Sequence, residues 1–263
     1  NFLGLAAVTS SRLSLTSTDR LCFRQTGPLS FANSLQPAAC SLSLLTGLSP
    51  QGMEMDQEIL DFRQTRFITS APDISHLPPD LGAEIAFAGR SNSGKSSALN
   101  AICDQNHLAK TSRTPGRTRL INLFCVRKGM SLVDLPGYGY AAVPDSMKRQ
   151  WQRSMSEYLQ KRQALRGIVV TMDIRHPLKD HDRLIIDWSL AANLPALILL
   201  TKADKLGVNQ RREAVGEVQH LLSEFGGNFT VIAFSAWKKI GLEEVRGVLS
   251  NWFLTMHGSD LDE

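Results

Sequence analysis

Short runs of apolar, β-prone residues recur along this chain, at 84–88, 120–126, 131–134, 167–173, 196–200 and 229–234. Between most of them lie longer stretches with helical character, at 95–104, 145–162, 181–193, 209–225 and 241–255. Continuous apolar runs fit strands of a covered sheet, and the longer stretches fit helices packed on it. Their alternation predicts an α/β fold, a mostly parallel central sheet with helices on both faces. The runs 120–126 and 131–134 are separated by a tight turn at Lys128-Gly129, so one strand there is expected to run antiparallel. No internal repeat is visible.

Between the first strand and the first helix stands GRSNSGKSS, residues 89–97. In that setting G-x-x-x-x-G-K-[ST] is a phosphate-binding loop. Gly89 and Gly94 allow backbone angles that side chains forbid, so the N–H groups of Arg90, Ser91, Asn92, Ser93 and their neighbours can turn inward toward phosphate oxygens. Lys95 supplies a point charge to the β- and γ-phosphates, and the Ser96 hydroxyl is a ligand for Mg²⁺. Ser96, Thr118 and, through water, Asp134 form the expected metal set.

Three later stretches narrow the nucleotide. In DLPG, 134–137, Asp134 ends an apolar strand and Gly137 can offer its N–H to a γ-phosphate, so that the following segment senses the third phosphate. In LTKADK, 200–205, the Asp204 carboxylate can accept from both N1–H and the 2-amino group of guanine; adenine offers neither. Hydrogen bonds to a charged partner contribute about 1.5–3 kcal/mol each, enough for a strong preference. Lys202 would lay its stem along the base, and the plain alternative for Asp204 is a cap on the helix 209–225. In FSAW, 234–237, the N–H groups of Ser235 and Ala236 are candidates for guanine O6. A threonine must also close over the metal. TSRTPGRTRLINLF, 111–124, offers Thr111, Thr114 and Thr118; Thr118 is preferred because it directly precedes the strand, with Thr114 in reserve.

GRSNSGKSS, TSRTPGRTRLINLF, LVDLPGYGYA, DIRHPLKDHD, LLTKADKL and FSA stand in the order found in the bacterial EngB (YihA/YsxC) GTPases, which the chain resembles from about Phe67 to about Phe253. The resemblance implies a Ras-like P-loop GTPase fold of the Era/TrmE-like group. It also implies a role in late assembly of the large ribosomal subunit, with cell division and septation depending on it. Carried over, the nucleotide contacts are Gly89 through Ser96; Gly116, Arg117, Thr118, Arg119 and Leu120; Asp134, Leu135, Pro136 and Gly137; Thr201, Lys202, Ala203 and Asp204; and Phe234, Ser235 and Ala236. Thr201 stands where guanine motifs usually carry asparagine. Expected partners are GTP and a large-subunit precursor, both rRNA and protein; no membrane partner is expected, and the protein is read as a monomer.

Tyr138 follows D-x-x-G where many GTPases carry a glutamine that orients the attacking water, so slow intrinsic hydrolysis is expected. Lys95, Thr118 and Gly137 are the catalytic candidates. Asn92 joins them as a candidate K⁺ ligand beside the phosphates, its alternative role being to stabilise the loop. In the helix 145–162, Met147, Trp151, Met155 and Tyr158 share one face, and Lys148, Arg149, Arg153, Lys161 and Arg162 make much of the rest positive. With Arg113, Arg117 and Arg119 these are candidates to meet ribosomal RNA phosphates; a solvated face is the bland reading. For Asp173, Arg175 and His176, loop capping and partner contact are equally open. A P-loop kinase, or a scaffold merely stabilised by GTP, remains the rival to a hydrolysing switch.

Composition adjusts this picture only at the edges. The 263 residues are 43% hydrophobic and 21% charged, as for one globular domain with an appendage. No apolar run is long enough to span a bilayer. Cys22, Cys40, Cys103 and Cys125 are scattered, which disfavours a disulfide scaffold or zinc site, and the last two are expected in the core. Residues 1–52 are rich in Ser, Thr and Leu and carry three Arg, no Lys and one Asp; their net +2 leaves only +2 of the total +4 for 53–263. They are expected to be a disordered leader: translated upstream sequence with Met53 or Met55 as the start, or else a transit peptide. The GTPase domain is set at 53–256 and a flexible tail at 257–263. The expected location is the cytoplasm, or an organelle if the leader is a transit peptide.

Overall fold

The computed structural model describes residues 60–109, 120–139 and 145–255, without side chains at 145–148 and 150. The leader, the tail and the segment with Thr111, Arg113, Thr114, Gly116, Arg117, Thr118 and Arg119 lie outside the described residues, as do the side chains of Met147 and Lys148.

Seven strands form one sheet in the order β1-β3-β4-β2-β5-β6-β7. They are β1 (Arg66–Ala71), β2 (Ala83–Gly89), β3 (Ile121–Arg127), β4 (Met130–Asp134), β5 (Leu165–Asp173), β6 (Ala196–Thr201) and β7 (Phe229–Ala233). Only β3 runs against the others, antiparallel to both β1 and β4, and Gly129 turns the β3–β4 hairpin with φ +78°. The helices are α1 (Lys95–Ile102), α2 (Asp145–Lys161), α3 (Asp180–Ala191), α4 (Val208–Ser223) and α5 (Leu242–Thr255).

Strand alternation divides the core into two layers. Ile85 and Phe87 of β2 face Leu99 of α1 and Phe253 of α5, while Ala86 and Ala88 face the layer holding Tyr158 of α2, Ile185 of α3 and Leu222 of α4. Every residue of β2 is buried, as a central strand covered on both faces requires. This is the α/β fold expected from the chain. β1 was not foreseen. It is an edge strand whose first three residues are exposed, Phe67 and Ile68 among them, so backbone pairing to β3 specifies it rather than an apolar pattern.

At the amino end of β2, Glu84 accepts from the Arg162 guanidinium at 2.6 and 3.0 Å and from the Tyr158 hydroxyl at 2.7 Å. Arg162 is only 9% exposed. The expectation that it belongs to the positive outer face of its helix is therefore corrected: it fastens the end of α2 to the sheet. The carboxyl ends of β2, β4, β5 and β6 lead into 89–94, 134–139, 173–176 and 201–206 on one edge, the edge where open parallel sheets bind ligands.

Candidate functional site

The phosphate loop follows from close approach and from left-handed backbone. A methyl on Gly89 would collide with Thr171 Oγ1 of β5 and lie 2.6 Å from Ser93 Oγ, so only glycine fits. Gly94, at φ +93°, caps α1, and Asn92 is also left-handed at +63°. The first α-helical bond is from Ala98 N–H to Gly94 carbonyl at 2.8 Å. The N–H groups of Lys95, Ser96 and Ser97 thus have no intrahelical acceptor and suit an anion. Two loop donors are already engaged, Ser91 N–H with Tyr138 carbonyl at 2.7 Å and Ser93 N–H with Arg90 carbonyl at 2.9 Å. This narrows the expectation that every loop N–H points at phosphate. The Arg90 side chain packs under Gly139, its Nε buried without a hydrogen-bond partner among the described residues.

Lys95 and Asp134 are 8% and 2% exposed, and the ammonium lies against the carboxylate. Asp134 also accepts from Asn122 Nδ2 at 3.3 Å. The oxygen donors here, the Ser96 hydroxyl and the Asp134 carboxylate, are the hard type that magnesium takes, and a cationic group already pairs with the carboxylate, so these residues fit the ion. No cluster of three or more His, Cys, Asp or Glu able to hold a metal occurs among the described residues.

The segment after Asp134 lies beside the loop. Leu135 N–H bonds to Phe87 carbonyl at 3.0 Å, and Tyr138 N–H bonds to Gly89 carbonyl at 3.3 Å. A methyl on Gly137 would sit 3.8 Å from Ser91 N, so this glycine borders the phosphate loop. Tyr138 is buried and its hydroxyl donates to Asp182 at 2.8 Å. Burial pushes the Tyr138 hydroxyl well above its usual range, and burial likewise raises the Asp182 carboxyl. The ring packs against Trp151 of α2 and His181 of α3.

The candidate base-binding residues are held by ties that the motif alone does not reveal. Thr201 Oγ1 donates to Met172 carbonyl at 2.9 Å and also reaches the Ser93 carbonyl. The residue in the unusual position thus joins the base loop to the phosphate loop. Lys202, left-handed at φ +58°, sends its ammonium to Asn92 carbonyl at 2.8 Å and to Asp173 Oδ2 at 2.9 Å. Asp173 also takes two bonds from the Arg175 guanidinium. That guanidinium first, and Lys202 after it, hold the Asp173 carboxyl well below the ordinary carboxylate range against the effect of burial. Local capping therefore accounts for Asp173 and Arg175, and Asp173 has the further task of seating Lys202.

Asp204 accepts from Ser235 Oγ at 2.7 Å, a bond that is the main cause of its lowered carboxyl pKa. Gly207, not Asp204, caps α4, which removes the structural alternative. Three expectations need correction. Ser235 N–H is engaged by Ile240 carbonyl at 3.1 Å, leaving Ala236 as the candidate donor to O6. Leu135 and Phe234 are each 1% exposed in the core and their N–H groups bond to neighbouring strands, so neither side chain meets a ligand. Cys125 is only half-buried, whereas Cys103 is in the core as expected.

Residues 84–202 match the family described as a 50S ribosome-binding GTPase, MMR_HSR1. The "Probable GTP-binding protein EngB" of Glaesserella parasuis is 58% identical over 194 residues, covering 74% of this chain and 93% of that protein. Its namesake in Haemophilus influenzae is 57% identical over 199 residues, covering 76% and 97%. The chain belongs to the EngB family of GTP-binding proteins. A crystal structure of a probable EngB GTP-binding protein, 21% identical, superposes with TM-score 0.52 over 65% of this chain and 98% of that one. Aquifex aeolicus Era bound to GDP and AlF4⁻, 19% identical, gives TM-score 0.52 over 65% and 57%. At these identities the two structures bear on the fold alone. As an EngB protein the chain is a GTP-binding GTPase, and the kinase alternative falls away. No helix among the described residues is long and apolar enough to cross a membrane.

Proposed function

We propose that this protein is a magnesium-dependent GTP switch that acts in assembly of the large ribosomal subunit, with normal cell division and septation depending on it. One observation carries the switch. The 134–138 segment is bonded on one side to the phosphate loop, through Ser91 N–H and Tyr138 carbonyl at 2.7 Å, and on the other to α2, through Trp151 Nε1 and Pro136 carbonyl at 3.1 Å. A γ-phosphate drawing on Gly137 N–H would act on both contacts at once.

In this reading the nucleotide phosphates lie on the loop 89–96, with Lys95 turning from Asp134 to the β- and γ-oxygens. Ser96 and Thr118 would hold magnesium directly and Asp134 through water; when bound, the ion would neutralise charge developing on the phosphates. Gly116, Arg117, Arg119 and Leu120 are the further nucleotide contacts that the family resemblance implies. Thr201, Ala203 and Lys202 shape the base pocket, Asp204 reads N1–H and the 2-amino group, and Ala236 N–H reads O6. Asn92 is the candidate K⁺ ligand. Its left-handed backbone makes its carbonyl available to Lys202, while its exposed side chain makes no hydrogen bond among the described residues. The expected setting is the cytoplasm, acting as a monomer.

The ribosomal part of the proposal is supported by the family description and by α2, whose solvent side presents Arg149, Arg153 and Lys161 around a shallow depression of about 520 Å³. Exposed cations of this kind suit RNA phosphates. Sedimentation of the protein with large-subunit precursors, in GDP and in a non-hydrolysable GTP analogue, tests it. Preferential co-sedimentation with the analogue is the expected result. Equal binding in both states would reduce the protein to a GTP-stabilised scaffold, and absence of binding would remove the ribosomal role.

A further inference from the structure

We infer that Asn122 is a positioning residue for the Asp134 carboxylate, retaining it in the metal shell when Lys95 turns away to the nucleotide. The inference rests on the Mg²⁺–GTP reading above. Asn122 of β3 and Asp134 of β4 are paired directly across the antiparallel ladder, and Ser70 of β1 pairs with Asn122 on the other side. Residues opposite one another share a face of the sheet, so three strands present Ser70, Asn122 and Asp134 as one row.

The hydrogen bonds in that row have one sense. Ser70 Oγ lies 2.6 Å from Asn122 Oδ1, and Asn122 Nδ2 lies 3.3 Å from Asp134 Oδ2. The hydroxyl donates to the amide oxygen, and the amide NH₂ faces the carboxylate, which can only accept. A flipped amide would oppose its oxygen to a carboxylate oxygen and lose that bond. Ser70 therefore steadies Asn122, whose amide faces the carboxylate it holds.

Lys95 meets the other carboxylate oxygen, Oδ1. Bound phosphates draw that ammonium away, and Asp134, 2% exposed, must not be left without a donor. Asn122 remains in place, because it is held by backbone pairing to both neighbouring strands. Its neutrality matters equally: a lysine or arginine here would cancel the negative charge that the metal's water must find.

The test uses Asn122→Leu, which keeps the branched shape and removes the donor, and Ser70→Ala on the exposed edge strand. Binding of a non-hydrolysable GTP analogue is measured by calorimetry across a series of free Mg²⁺ concentrations, and again in excess EDTA. Loss of such an outer partner typically weakens metal affinity about 10–100-fold. Asn122→Leu is expected to raise the Mg²⁺ midpoint at least tenfold while leaving the affinity in EDTA within about twofold of wild type. Ser70→Ala should shift the midpoint in the same direction by less, and it carries the test if Asn122→Leu does not fold. Unmoved midpoints, or an equal loss of affinity in EDTA, would overturn the role. A wild-type protein whose analogue binding is indifferent to Mg²⁺ would instead sink the reading beneath it.

Discussion

The indole N–H of Trp151 donates to the carbonyl of Pro136 across 3.1 Å. The Tyr138 ring packs on the same indole, with centroids 5.1 Å apart, and its hydroxyl reaches Asp182 on α3. Two residues of the D-x-x-G-Y stretch are thus fastened to two different helices, while its backbone is paired with the phosphate loop. Displacement of Gly137 would act on these contacts, because Tyr138, its chain neighbour, is buried against Trp151.

Trp151→Phe keeps an aromatic ring and removes the donor. It should lower unfolding free energy by about 1 kcal/mol, the net value of one neutral hydrogen bond, as read from urea denaturation. In wild type, exchanging GDP for a GTP analogue should change tryptophan fluorescence. That change should be smaller in Trp151→Phe, and an identical response would show that Trp151 does not follow the switch.

Asp204→Asn replaces an acceptor of two guanine hydrogens with an amide that accepts one and opposes the other. With about 1.5–3 kcal/mol for each bond to the charged group, GDP affinity should fall at least a hundredfold. Xanthine carries an oxygen in place of the 2-amino group, so the amide should favour xanthosine diphosphate. Calorimetry with both nucleotides checks the exchange of preference.

Arg162 and the pair Arg149 and Arg153 should separate cleanly. Arg162→Ala leaves Glu84, 3% exposed, without its ionic partner, a change that typically costs about 3–5 kcal/mol. Arg149→Glu with Arg153→Glu should leave the urea midpoint nearly unmoved, since both side chains are exposed. The double reversal should instead weaken binding to ribosomal particles at low salt. Unchanged binding would argue against α2 as the RNA-facing surface.

The acid response follows from Asp173. Its folded pKa is depressed below the unfolded value of about 3.9, mainly by Arg175 and then by Lys202. Its contribution to stability is therefore fully present above that unfolded value and is lost as pH falls through the folded one. Asp204, also lowered, behaves in the same direction. Stability and GDP affinity should show no loss from either group between about pH 5 and 8. Below about pH 4, wild type should lose stability more steeply than Asp173→Asn, and parallel acid limbs would refute the assignment.

Hydrolysis should be slow without an activator, because the residue after Gly137 is a buried tyrosine rather than a water-orienting side chain. If Asn92 holds K⁺, turnover should be faster in KCl than in NaCl, and Asn92→Ala should erase the difference. Equal wild-type rates in the two salts would dismiss the ion.

Much of this fold was readable from pattern: the central strands are continuous apolar runs, and the phosphate loop and the TKAD stretch carry their chemistry in consecutive residues. The edge strand Arg66–Ala71 was not readable, because an outer strand with exposed Phe67 and Ile68 carries no burial signature. Arg162 was misplaced for a related reason. A cation at a helix end looks solvated until Glu84, 78 positions away, is brought beneath it.

Residue order alone was enough for the α/β class and pointed to the candidate guanine loops and magnesium ligands, since each depends on neighbours that lie close along the chain. Folding had to supply the pairs between distant segments: Thr201 with Met172, Lys202 with Asp173, Asn122 with Asp134 and Trp151 with Pro136. Hydrogen-bond partners chosen by strand register and helix packing leave no local trace, because each side chain taken singly is an ordinary polar or aromatic residue until the sheet sets its partner opposite.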